Sequence, residues 1–248
     1  MTLVPYRARL AQIVVAAGGT VEEGRYVTRP GVLVVNATAP TTEGIALLDQ
    51  IGLDADLSPG ARVAAFDARI TYLHFPAQEA RTGAEYLAEV VDVRGHTSVC
   101  ARGFASVLFA GISLEASLEL VANRAGKNAR LTSSHTRAMD DTLYRLVGSA
   151  AEQAEQRRAI EAFLEWRAGL DAERLGGRYP RNMLNLGSRA TLLHMGMSIE
   201  DWRGILQSRL KKEGNESEVR EAYALACALL HDRFPHVIRT PAAQGYEP

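Results

Sequence analysis

The chain has 248 residues, 47% of them hydrophobic, and a formal net charge of −1 from 28 Lys and Arg against 29 Asp and Glu. This length can bury a sizeable core, and because no linker-like stretch divides it, we predict one domain over residues 1–248. The balanced charge argues against nucleic acid and membrane surfaces as partners, since both usually require a basic excess. No apolar run reaches the length of a membrane span, and we expect a soluble, cytoplasmic protein.

The first third of the sequence predicts short strands. Two β-branched runs, at residues 13–15 and 32–35, are bounded by glycine and proline and are typical of a small sheet. A helix is expected next, with Pro76 in its first turn and Gly95 beyond its end. The apolar run at residues 104–111 then predicts a buried strand.

Helices dominate the predicted structure of the remaining chain. Ser113 can cap one helix and Ser198 another, each ahead of an apolar stripe at helical spacing. A long, charged, alanine-rich helix is expected from residue 137 to about 169, and a further helix over residues 216–234, stopped by Pro235. Strands first and helices later predict an α+β fold.

Several common catalytic motifs are missing from the sequence. It contains no GxGxxG, GxxxxGK[ST], GxSxG or HExxH motif, which argues against dinucleotide-binding, P-loop, serine-hydrolase and zinc-protease chemistry. The two cysteines, Cys100 and Cys227, lie far apart without CxxC spacing, so we predict two buried free thiols without a nucleophilic role. No metal site is expected.

Arg209 is the first candidate for a binding residue. It follows Trp202, Ile205 and Leu206 at helical spacing, which places a guanidinium on the apolar stripe. A cation directed inward needs an anion or a hydrogen-bond acceptor. Two interpretations stay open: Arg209 binds a ligand, or it lies at the edge of the stripe and pairs with a surface carboxylate.

A polar loop at residues 123–137 follows the helix that Ser113 caps. It is rich in hydroxyl, amide and cationic donors, which can wrap phosphate or carbonyl oxygens, although a solvated surface loop has the same composition. Four arginines, two in this loop and two further along the chain, together indicate an anionic-nucleotide site. These are Arg124, Arg137, Arg181 and Arg209.

Six segments, in order along the chain, carry a resemblance to a known family. They are GHTSV at residues 95–99, FASVLFAGIS at 104–113, SHTR at 134–137, RNMLNLG at 181–187, LQSRL at 206–210 and EVREAYALACALLHDRFP at 218–235. This ordered set resembles the flavin-dependent thymidylate synthases over more than half of the chain. Where the family signature has Arg-His-Arg, however, this sequence has Ala122-Asn123-Arg124, and the spacing to Arg137 is longer by three residues.

The resemblance implies an α+β domain with a small, mostly antiparallel sheet and packed helices. It implies methylation of uracil C5 in UMP or dUMP, with methylenetetrahydrofolate as carbon donor, FAD as flavin and NADPH as reductant. Family members form homotetramers with shared active sites, so the same assembly is expected here. Loss of signature residues beside retained substrate arginines resembles the branch of UMP/dUMP C5-methylases in polyoxin biosynthesis.

The resemblance also implies the role of individual residues. Arg209 contacts the uracil and is the expected catalytic residue. The expected substrate-binding residues are Glu119, Ser134, Arg137, Arg181 and Arg209. The expected cofactor-binding residues are His96, Ser98, Asn123, Arg124 and Ser198.

Two alternatives of another class stay open. The departure at Asn123 is compatible with a nucleotide-binding paralogue without catalysis. Transfer of a one-carbon unit at another oxidation level would make the protein a pyrimidine-nucleotide hydroxymethyltransferase.

Overall fold

A computed structural model describes residues 5–53, 55–71, 82–122, 128–131, 142–168, 188–211 and 217–246. Its helices are α1 (Tyr6–Ala16), α2 (Thr42–Gln50), α3 (Pro59–Ile70), α4 (Gly83–Ala88), α5 (Leu114–Ala122), α6 (Ala150–Ala168), α7 (Ile199–Leu210) and α8 (Ser217–Arg233). Its strands are β1 (Thr20–Glu22), β2 (Tyr26–Arg29), β3 (Gly31–Ala37), β4 (Phe104–Ser113), β5 (Asn128–Leu131), β6 (Tyr144–Arg145) and β7 (Ala190–Ser198). A π-helical turn (Glu89–Val93) continues α4, and 3-10 turns occupy Thr97–Cys100 and Ala242–Gln244.

The larger sheet is antiparallel, with strand order β3-β4-β7-β5. Alternate residues of its two central strands, including Val107, Phe109, Leu193 and Met195, are fully buried. They form the main core with apolar residues of α3, α7 and α8. The period-2 pattern therefore directs one face of the sheet onto the helices.

The opposite face of this sheet is only partly covered. Leu10 and Val14, one helical turn apart on α1, pack there against Ala110 and Ala190. Leu33, in register with Leu108 on β4, is 45% exposed. An apolar part of the sheet therefore faces solvent.

A second, three-stranded sheet has the order β1-β2-β6 and packs against α6. Arg145 on β6 connects this second sheet with the larger sheet. The Arg145 side chain is almost fully buried. Its guanidinium donates to Glu218 at 3.0 Å, to Glu221 at 2.6 Å and to the Thr28 carbonyl at 2.6 Å. Glu218 also accepts the Ser113 amide at 2.8 Å, so the buried charges have partners from both sheets and α8.

Most of the predicted elements are confirmed. The runs at residues 32–35 and 104–111 are strands, and the helices capped by Ser113 and Ser198 form as expected. The last helix ends at Arg233, just before Pro235. The α+β fold with a mostly antiparallel sheet and packed helices is confirmed, whereas the predicted helix start at Pro76 lies outside the described residues.

Three sequence predictions are wrong. Residues 13–15 belong to helix α1, because burial of Leu10 and Val14 on one helical face outweighs the β-branched run. The helix expected from residue 137 begins only at Ala150, since Tyr144 and Arg145 pair with β2 as a strand. Strands and helices are also not separated along the chain: α2 and α3 lie in the first third, and the central strand β7 comes late.

Candidate functional site

The first cluster of predicted site residues lies where α5 and α7 converge. Each helix follows directly from a central strand, with Ser113 and Ser198 as caps, and the two helices begin at opposite ends of the β4–β7 pair. Glu119 on α5 and Arg209 in the last turn of α7 form an ion pair, with Nη1 and Oε1 3.1 Å apart. The structure thus brings together two residues that are 90 positions apart in sequence.

The Glu119–Arg209 pair lies at the edge of the core. The two side chains are 30% and 23% exposed, while Leu206 and Leu210 beside Arg209 are fully buried. The pairing of Arg209 with a carboxylate at the edge of the stripe is thus observed, whereas binding of a ligand by Arg209 stays a prediction. Such a pair presents a donor and an acceptor side by side, which suits the edge of a pyrimidine base.

The second cluster surrounds the start of α7. His96 and Ser98 are exposed on the turn that follows the π-helical segment, and Gly95 enters this turn at a φ of 70°. The Ser198 hydroxyl accepts the Asp201 amide at 3.0 Å and donates to the Asp201 carboxylate at 2.7 Å. Ser198 therefore acts as a helix cap in this structure, and its predicted cofactor contact stays a prediction.

Two interactions that the sequence did not reveal connect α7 with this turn and with the π-helical segment before it. The Thr97 hydroxyl donates to Glu200 Oε1 at 2.7 Å. Asp92, on the π-helical segment, accepts a hydrogen bond from Arg203 of α7 and also forms an ion pair with Arg239. The partners lie more than 100 residues apart along the chain, and no local pattern connects them.

Charge around Asp92 shifts the titration of its carboxyl. Burial alone raises the pKa of Asp92, but hydrogen bonds from Arg239 and Arg203 and their positive charge outweigh this and hold the pKa below its usual value. Asp92 therefore keeps its negative charge at neutral pH and holds both cations.

The two clusters lie at opposite ends of α7. Eleven residues separate Ser198 from Arg209, which corresponds to about 16 Å along a helix. Within one chain, the described residues thus form two separate clusters, the Glu119–Arg209 pair and the turn with His96 and Ser98. The remaining predicted site residues, Asn123, Arg124, Ser134, Arg137 and Arg181, lie outside the described residues.

Both cysteines are buried and free, as the sequence predicts. Burial raises the pKa of Cys100 to about 12, and burial likewise raises the pKa of Cys227 to about 12. Each is therefore a neutral thiol at neutral pH, a form that is a poor nucleophile.

The described residues, whose ranges are given above, contain neither a metal-binding cluster nor a membrane-spanning helix. Within these ranges, no group of three or more His, Cys, Asp or Glu side chains could hold a metal ion. None of the helices described is long and apolar enough to cross a membrane.

Comparison with solved structures identifies the fold: it is that of the flavin-dependent thymidylate synthases. Thymidylate synthase X (ThyX) from Helicobacter pylori, with FAD and dUMP, is 12% identical with a TM-score of 0.53, over 84% of this chain and 96% of that chain. The UMP/dUMP methylase PolB from Streptomyces cacaoi, bound with 5-Br UMP, is 12% identical with a TM-score of 0.59, over 90% and 99%. No family model and no curated protein matches the sequence.

Proposed function

We propose that the protein methylates C5 of a uracil nucleotide, UMP or dUMP, in an FAD-dependent reaction. The fold supports this, because solved structures of that fold contain FAD with dUMP or hold 5-Br UMP. The Glu119–Arg209 pair gives this proposal its strongest support, since it brings a hydrogen-bond donor and an acceptor together on two helices of that fold.

Arg209 is the proposed catalytic residue. Its guanidinium donates to a carbonyl oxygen of the uracil and favours the negative charge that develops on the ring as C5 becomes nucleophilic. Glu119 holds the guanidinium in place and accepts from the N3–H group of the base. Removing either residue would slow the reaction, because the transition state is less stabilised. The free energy of unfolding would change less.

The phosphate is assigned to cationic and hydroxyl side chains that the structure does not describe. Arg137 and Arg181 neutralise it through paired hydrogen bonds, and Ser134 donates a further one. These roles rest on the sequence resemblance.

The residues around the start of α7 suit one part of a flavin better than another. His96 and Ser98 are exposed and offer uncharged donors and acceptors, whereas Glu200 and Asp201 place two carboxylates in the first turn of the helix. This set fits the uncharged ring of a flavin and does not fit its diphosphate, which the carboxylates would repel. The diphosphate therefore belongs to Asn123 and Arg124 in the proposal.

When bound, reduced FAD supplies a hydride, NADPH reduces the flavin, and methylenetetrahydrofolate supplies the carbon. The protein's own residues bind, orient and stabilise charge. No cysteine takes part, in agreement with the buried, neutral thiols.

We further propose that the protein works as a homotetramer with shared active sites. The partly uncovered sheet face with Leu33 supports an assembly, because exposed apolar sheet surface favours association. The separation of the two clusters along α7 supports shared sites, because a second copy can then complete each one.

The test is product analysis with purified protein, FAD, NADPH, methylenetetrahydrofolate and either UMP or dUMP. Mass spectrometry should show a nucleotide heavier by one methyl group. A hydroxymethylated product would show that the protein is a hydroxymethyltransferase instead. Nucleotide binding without any product would identify a paralogue without catalysis. Arg209→Met serves as the control that binds FAD but forms no product.

A further inference from the structure

The turn that bears His96 and Ser98 is tied to α7 by a hydrogen bond between side chains. Thr97 Oγ1 donates to Glu200 Oε1 at 2.7 Å, and both residues are partly buried. Because the acceptor is a carboxylate, this bond belongs to the stronger, charge-assisted type.

The backbone around the turn limits its movement on both sides. Before it, the His96 amide donates to the Val90 carbonyl at 3.0 Å, which closes the π-helical segment. After it, the Ile199 amide of α7 donates to the Gly103 carbonyl at 2.8 Å. Between these anchors the Thr97 side chain bonds the turn to α7.

Glu200 does not suit an anionic group, because of the negative charge around it. Its carboxylate stands beside Asp201 in the first turn of α7, where the Ser198 hydroxyl already accepts the Asp201 amide. The negative charge there disfavours a phosphate and leaves Glu200 an acceptor for its neighbour Thr97.

We propose that the Thr97–Glu200 hydrogen bond is a positioning contact that holds His96 and Ser98 in place for the flavin ring. This inference rests on the proposed function. It assigns Glu200 an indirect role, since the residue orients the turn without itself contacting the cofactor.

The test compares FAD affinity in three variants of the full-length protein. Thr97→Val should weaken FAD binding about tenfold, because it removes a hydrogen bond to a charged group. Thr97→Ser keeps the hydroxyl and should restore affinity to within about twofold. Thr42→Val, an exposed threonine at the start of α2, is the matched control and should bind FAD like the wild type.

A second readout separates positioning from general destabilisation. UMP affinity without FAD should be equal in Thr97→Val and wild type, since Glu119 and Arg209 lie at the other end of α7. Hydrogen exchange should become faster at the amides of residues 96–98 in Thr97→Val only.

The outcomes distinguish the two proposals. If the wild type binds FAD and Thr97→Val binds it equally well, the positioning role is overturned and the proposed function stands. Equal losses of FAD and UMP affinity would also overturn it. If the wild type binds no FAD, the proposed function fails, and the positioning role fails with it.

Discussion

At the scale of single residues, we expect Arg209 to affect ligand binding more than folding. It lies at the end of an apolar stripe, pairs with Glu119 across two helices and remains 23% exposed. A partly exposed ion pair contributes little to folding, so a loss of Arg209 should be tolerated by the fold.

We expect Arg209→Met to lower UMP affinity at least tenfold, since a charge-assisted contact with the base is lost. The free energy of unfolding should fall by no more than about 1 kcal/mol. Isothermal titration and urea unfolding measure the two effects. An unchanged UMP affinity would exclude Arg209 from the site.

Asp92 provides a pH-dependent prediction. Its pKa is lowered in the folded protein, so its stabilising contribution is complete above the pKa of the unfolded chain and is lost as pH falls through the folded value. Asp92→Asn should lower the free energy of unfolding at neutral pH by about 1 to 2 kcal/mol. The difference from wild type should shrink as pH falls below about 3.9, and a difference that is constant with pH would contradict this origin.

At the scale of elements, the buried Arg145 holds two sheets and α8 together. Arg145→Met leaves Glu218 buried without its cation, which should cost about 3 to 5 kcal/mol in urea unfolding. Arg158→Met is the control, because Arg158 forms an exposed pair on α6 and should change stability by less than about 1 kcal/mol. Similar losses in both variants would argue against the network.

Gly111 interrupts strand β4 where helix α1 crosses it. Its φ is 81°, and a Cβ would lie 2.9 Å from side-chain carbons of Val14 and Val27. Gly111→Ala should therefore destabilise the protein by more than about 1 kcal/mol. Gly204→Ala, in an open position on α7, should instead stabilise it by about 0.5 to 1 kcal/mol. Equal thermal shifts in the two variants would contradict the crowding at α1.

Local signals were sufficient for some elements and not for others. Ser113 and Ser198 were predicted as caps, because capping depends on a few neighbouring residues. Strand β7 was missed, since both of its faces are largely buried and its partner β4 lies about 85 residues away. The run at residues 13–15 misled because a helix gains its stability from packing rather than propensity.

The candidate site, like the helices and strands, could be predicted from the sequence only in part. Arg209 was visible from its apolar neighbours, whereas Glu119 entered through the family resemblance and joined Arg209 only in the structure. The Thr97–Glu200 bond could not be predicted, because it links two ordinary polar residues 103 positions apart.

At the scale of the whole molecule, the uncovered sheet face predicts self-association. Leu33→Glu places a charge on this face and should shift the protein to smaller species in analytical ultracentrifugation. Leu47→Glu, an equally exposed leucine on α2, should leave the assembly unchanged. A wild type that is monomeric at all concentrations would contradict the tetramer and the shared sites.

The proposed function requires that the protein binds a flavin beside a pyrimidine nucleotide. Its most direct test is the visible absorption spectrum of the purified protein after addition of FAD, recorded before and after UMP is added. We predict a bound flavin whose absorption band shifts with UMP in the wild type and not in Arg209→Met. A spectrum identical to free FAD, with or without UMP, would contradict the claim.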